Sequence, residues 1–226
     1  MVLCLETATS VCSVALTENG KVIAFREINE GFSHAEKLTV FISEILREAY
    51  KKVNDLDAVA VSSGPGSYTG LRIGVSVAKG LCLAADKPLI SIPTLEAMAF
   101  GARNKIKVSD PEILFCPMID ARRMEVYCAL YDLQLDCLHP SSAIVVTEEF
   151  FSDKRNGKKV YYFGDGAEKC RTILNDQSEF IFYPEMFPSA KYMAELAFKK
   201  FNDKWFENLS LFEPLYLKEY QPGRKK

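Results

Sequence analysis

The sequence predicts an α/β protein of two related halves, each with a mixed sheet opened by a three-stranded meander and flanked by helices. Three observations carry that reading. Residues 2–5, 13–16 and 21–26 read as strands joined by turns, with Asn19-Gly20 as a strong hairpin signal. After residue 111 the order returns: a strand at 113–119, the turn Asp120-Ala-Arg-Arg123, a strand at 124–131, and a turn at 132–136 into a further strand. The stretch 159–163 followed by Gly164-Asp165-Gly166 then repeats the strand and glycine turn of residues 57–66. An acidic residue closes the first strand of each half, Glu6 in one and Asp120 in the other. Matched order of this kind points to a weak internal duplication with a cleft between the halves.

The remaining elements follow in chain order. Ser33 and Glu36 form a capping box, and Leu38, Phe41, Ile42, Ile45, Leu46 and Ala49 recur at helical spacing, so an amphipathic helix is expected to about Lys51. Asp57-Ala-Val-Ala-Val61 is short, apolar and β-branched, which suits a strand buried on both faces. Gly64, Pro65 and Gly66 break it, and a helix runs from about Tyr68 to Ala85. A strand at 88–92 and a short helix from Thr94 complete a compact half ending near Gly101. The polar stretch 103–111 reads as a linker, so the domains are expected at 1–102 and 111–204. A helix at 189–204, with Met193, Leu196, Ala197 and Phe201 on one face, is expected at the junction, and residues 205–226 are expected to pack back on the first domain.

Composition limits the classes. A chain of 226 residues, 48% hydrophobic and 26% charged, is that of an ordinary globular protein with room for two small cores. No run is long enough to span a membrane and no leader is recognisable, so a cytoplasmic location is expected. Seven cysteines, odd in number and never spaced Cys-x-x-Cys, fit free thiols in a reducing compartment better than disulfides or zinc. A net charge of −2 supplies no global attraction to nucleic acid, so any RNA contact is local or belongs to a partner.

The glycine turn at 63–67 invites a phosphate-binding reading, because the first turn of the following helix leaves amides unpaired. The spacing argues against it. No lysine follows either glycine in a Walker register, position 69 is Thr69 where a dinucleotide fingerprint needs glycine, and Pro65 stands where a nucleophile elbow around Ser67 needs one. The helix is apolar around its circumference, with only Arg72 and Lys79 charged between residues 71 and 85. One side rests on its own sheet, and the opposite side needs cover from this chain or from another. Gly70, Gly74 and Ala78 recur every four residues, spacing that admits a second helix closely. On that reading Gly74→Arg blocks association with little loss of folding.

Two halves that each begin with a meander resemble the actin, sugar kinase and Hsp70 superfamily, whose domains are actin-like (ribonuclease H-like) and hold ATP between them. The segments 3–10, 63–74, 119–127 and Pro214-Leu-Tyr-Leu-Lys218 resemble the TsaB (YeaZ) family over almost the whole chain. That resemblance implies a non-catalytic subunit in the synthesis of N6-threonylcarbamoyladenosine on ANN-decoding tRNAs. It implies a TsaD paralogue that performs the transfer, the small ATPase TsaE docking on the pair, a homodimer when alone, and tRNA met through the complex. It also places a partner interface on the first two long helices, here His34, Leu38, Phe41, Ile42 and Ile45 on one, with Gly70, Ile73, Gly74, Val77, Ala78 and Leu81 on the other.

The residues themselves speak against catalysis. The catalytic paralogue binds metal through His-x-x-x-His, but four residues after His34 comes Leu38, and the only other histidine, His139, adjoins Pro140. The same scarcity weakens a Ser-His-Asp triad. The alternative is an ATP-binding phosphotransferase with Glu6 and Asp120 positioning Mg²⁺-ATP beside Thr7, Thr9, Ser10, Gly64 and Gly66. The family usually has aspartate where Glu6 stands, and no phosphate-loop lysine is present, so a vestigial cleft is favoured and no cofactor or metal is expected. The plain role for both carboxylates is to bond turn amides.

Overall fold

The computed structural model describes residues 1–31, 34–106, 112–147, 149–151, 153, 156–174 and 178–218. The first half contributes β1 (Val2–Glu6), β2 (Cys12–Glu18), β3 (Lys21–Ile28), α1 (His34–Glu48), β4 (Ala58–Ser62), α2 (Tyr68–Ala85), β5 (Leu89–Ile92) and α3 (Thr94–Lys105). The second contributes β6 (Ile113–Asp120), β7 (Glu125–Tyr131), β8 (Cys137–Val145), β9 (Lys159–Phe163), α4 (Arg171–Leu174) and β10 (Phe180–Phe182). A 3₁₀ turn at Ala190–Met193 then leads into α5 (Ala194–Asn202).

The two sheets repeat one topology. The first is ordered β3-β2-β1-β4-β5, and the second, taken from its β8 edge, β8-β7-β6-β9-β10. In each, the opening strand pairs antiparallel with the next and parallel with the strand that precedes the glycine turn. The duplication expected from the sequence is therefore present strand for strand. Asn19 and Gly20 both have positive φ, 51° and 76°, the geometry a two-residue hairpin turn demands.

Alternation along the strands divides the apolar residues into three layers. Leu3, Leu5, Val14, Leu16, Val59 and Val61 face α1 and α2 on the outer side of the first sheet. Cys4, Ala15, Ala58 and Ala60 face inward, where α3, Met193 and Ala197 fill the space up to Phe115, Ile119 and Phe163 of the second sheet. A third cluster, including Tyr162, Phe150 and Leu174, lies on the outer side of that sheet.

Because α3 sits between the sheets, Leu95, Ala97, Met98, Ala99 and Ala102 are all buried. The stretch 103–111 read as a linker is corrected at its start: α3 runs on to Lys105, with Arg103, Asn104 and Lys105 no longer buried. The predicted helix at 189–204 begins as the 3₁₀ turn, and Ser33 of the capping box lies outside the described residues, as do residues 107–111 of the linker. Pro140 lies within β8, an edge strand, where its missing donor is tolerated.

Candidate functional site

Glu6 is the last residue of β1 and points to the same side as Val2 and Cys4, toward the layer between the sheets. It is 0% exposed. One carboxylate oxygen accepts the Ala8 N–H at 2.6 Å, and the other, Oε2, has no hydrogen-bond partner. Burial pushes this carboxyl up to about 7, against the lowering pull of the Ala8 amide. Cross-strand pairing sets Glu6 beside Ser13, and Ser13 beside Glu27. The Ser13 hydroxyl accepts the Ala190 N–H at 2.8 Å, Ser189 donates to Glu27, and the Lys191 ammonium stands 3.7 Å from Glu27. A polar row thus crosses three strands and is closed by the segment before α5.

The glycine turn is occupied by its own chain. Ser63 N–H donates to Ile92 C=O at 2.9 Å, Gly64 N–H to Thr94 Oγ1 at 3.2 Å, and Ser67 N–H to Ala8 C=O at 2.6 Å. Gly70 N–H donates to the hydroxyl of the cap residue Ser67 at 3.2 Å. Four amides around the turn thus already have acceptors within the chain and are not available to an anion. Gly66 abuts the Ala8 carbonyl so closely that any Cβ there would overlap it. Thr7 Oγ1 donates to Gly70 C=O at 2.8 Å, Thr9 C=O accepts the His34 Nε2 proton at 2.7 Å, and Ser10 donates to Asn29 at 2.8 Å.

The second half repeats the device. Asp120 closes β6 and accepts the Arg122 N–H at 3.0 Å, the same two-residue reach by which Glu6 holds Ala8. Lys169 pairs with the Asp120 carboxylate and donates to Glu125 C=O at 2.7 Å. Asp165 accepts the Asp120 N–H at 3.2 Å, and burial pushes its carboxyl up to about 6. Sequence reasoning missed Lys169, Asp165 and Ser189 as partners in this polar framework, because residues distant in sequence carry no shared spacing. Among the described residues no group of three or more His, Cys, Asp or Glu side chains is placed to hold a metal.

The expected interface residues divide into two sets. His34, Leu38, Ile42 and Ile45 are buried under α1, and Gly70, Gly74 and Ala78 are buried under α2. Burial also lowers the His34 pKa, which favours neutral imidazole. The glycine spacing has a different cause from the one expected. A Cβ on Gly70 would overlap the Thr7 carbonyl, and one on Gly74 the Thr7 hydroxyl, so α2 approaches the turn after β1 of its own chain. Phe41, Ile73, Val77 and Leu81 are half-buried and pack at the edge of the outer core. Around them Thr39, Val40, Ser43, Ser76, Gly80 and Leu83 are exposed, alongside the charged Arg47, Glu48 and Arg72. A groove of about 610 Å³ between the helices is lined by Ile42, Leu46, Val53, Val77 and Leu81, with Arg47, Lys51 and Lys52 also in its wall.

Known proteins share this sequence and architecture. A family model described as TsaD, tRNA N6-adenosine threonylcarbamoyltransferase, matches residues 31–224. The chain is similar to the tRNA threonylcarbamoyladenosine biosynthesis protein TsaB of Escherichia coli, 39% identical over 58% of this chain and 54% of that protein, so the match spans about half the relative. The protein of the same name from Buchnera aphidicola subsp. Baizongia pistaciae is 31% identical over 96% of this chain and 98% of its own length. The solved structure of YeaZ from Pseudomonas aeruginosa superposes with a TM-score of 0.82 at 26% identity, covering 96% of this chain and 99% of that one. Strand order, duplicated turns and full-length sequence similarity agree: the chain belongs to the TsaB (YeaZ) family, on the actin-like fold.

Proposed function

We propose that this chain acts in tRNA threonylcarbamoyladenosine biosynthesis as a non-catalytic subunit, pairing through its α1–α2 face with the TsaD transferase and stabilising it. One contrast carries the reading. At the strand ends the chain's own turns already use one oxygen of Glu6, the Asp120 carboxylate and the amides of Ser63, Gly64, Ser67 and Gly70, whereas the described residues leave the groove between α1 and α2 uncovered. TsaE and tRNA are then met through the complex, and without TsaD a second copy covers the same face. Among the described residues no helix is long and apolar enough to cross a membrane.

The phosphotransferase alternative draws on one observation, the unpartnered Oε2 of Glu6. Calorimetric titration with Mg²⁺-ATP separates the two readings: no heat of binding is expected, and saturable binding at micromolar nucleotide favours the enzyme.

Val77→Arg tests the interface. Val77 lines the groove and is half-buried, so an arginine there can extend its charge to water while filling the contact. Light scattering behind size exclusion should show a one-to-one complex of the wild type with TsaD from the same cell. The variant should bind at least about tenfold more weakly, a loss of about 1.4 kcal/mol, while melting within a few degrees of wild type. Wild-type failure to bind overturns the scaffold reading, and undiminished binding by Val77→Arg overturns the placement of the interface.

A further inference from the structure

The segment Pro214-Leu-Tyr-Leu-Lys218 has no part in the α1–α2 face, yet it makes the most specific contacts of the chain's return path. After α5 the backbone turns back along the first half. Glu207 N–H donates to Leu89 C=O at 2.9 Å, adding one bridge to the β5 edge, and Ser91 donates to the Glu207 carboxylate. Leu209 and Phe212 pack on the outer core beside α2. The chain then reaches the glycine turn.

There Leu215 N–H donates to Ser63 C=O at 2.7 Å. The Leu215 carbonyl lies 2.7 Å from the point where a Cβ on Gly64 would stand. Gly64 has φ +101°, so glycine is required at this position by conformation and by contact alike. The Tyr216 ring meets that of Tyr68 with centroids 4.6 Å apart, and the Arg72 guanidinium lies 4.2 Å over Tyr68. Two residues later the chain leaves the first half, and Lys218 pairs with Glu125 at the start of β7.

We propose that residues 214–218 form a built-in strap from the glycine turn after β4 to the start of β7, tying the two halves together beside the strand ends that carry Glu6 and Asp120. Its two ends differ in strength. The first-half end combines a backbone hydrogen bond, a close glycine contact and an aromatic stack. Among the described residues the second-half end is one ion pair, with side chains 38% and 25% exposed, and pairs of that kind are weak. Opening therefore starts at Lys218, with the strap still anchored on Ser63.

Hydrogen exchange read by mass spectrometry on the full chain tests this independently of any partner. Lys218→Glu and Glu125→Lys should each speed exchange at least about fivefold in peptides covering 120–127, and the charge-swapped double variant should restore protection. Leu215→Pro, which removes the donor to Ser63, should do the same at 63–67 and at 120–127. The inference is overturned if the charge variants leave 120–127 within twofold of wild type, or if Leu215→Pro changes only the tail and 63–67.

Discussion

Gly74→Arg is expected to yield little or no folded protein. The position lies in the buried side of α2, directly against the Thr7 hydroxyl, so the new side chain starts with a clash and ends with a cation in the core. An uncompensated buried charge costs about 3–5 kcal/mol, a large share of the 5–15 kcal/mol that holds a typical domain together. Circular dichroism with thermal melting is the measurement, and a cooperative melt within a few degrees of wild type contradicts the placement of Gly74. Alanine gives a graded form of the test. At Gly74 the Cβ meets a hydroxyl that Thr7→Ala removes, so Gly74→Ala should be rescued in the double variant. At Gly70 the obstruction is the Thr7 backbone carbonyl, which no side-chain truncation removes, so Thr7→Ala should not rescue Gly70→Ala. Each alanine alone should cost about 1–3 kcal/mol from overpacking, less the helix propensity gained over glycine.

Glu6→Gln is expected to stabilise the protein at pH 8 and to change it little at pH 4. Burial raises the carboxyl from its ordinary 4.5 to about 7, so the folded state holds a proton that the unfolded state has already released. The contribution of this group is fully present below pH 4.5 and is lost as pH rises through 7. That rise corresponds to about 3 kcal/mol, the upper limit of the gain from a side chain that never ionises. Denaturant melts of both proteins across this range give the result directly. The difference between them should grow from near zero at pH 4 toward its limit at pH 8. A difference independent of pH would show that Glu6 is ionised at its ordinary value, with Oε2 solvated. His34 acts in the opposite sense: burial lowers its pKa, so its contribution is lost as pH falls below its ordinary 6.5.

Several features were legible from residue order alone. The meanders, the hairpin at Asn19-Gly20 and the repeated strand-and-glycine turn depend on alternation and on residues that tolerate positive φ, which are local properties. The turn role of Glu6 and Asp120 was legible as well, because each carboxylate reaches an amide only two residues ahead. The glycine stripe on α2 was legible as a close approach but not as to what approaches. Spacing reports that a neighbour is near, and a carbonyl of the same chain satisfies it as well as a second helix does. The extent of α3 was missed because its pattern has little amphipathic contrast, a consequence of sheets on both sides.

By itself, then, the sequence determined the class of fold, its duplication, the family and the positions of the turns, since each is written in short-range periodicity and local dihedral preference. Tertiary structure alone decided which apolar residues remain outward on α1 and α2, which amides at the glycine turn are already bonded, and where the C-terminal segment crosses between the halves. Those outcomes depend on contacts between residues as far apart as Lys218 and Glu125, or Leu215 and Ser63. Such contacts form only when the whole chain has packed, and no local pattern specifies them.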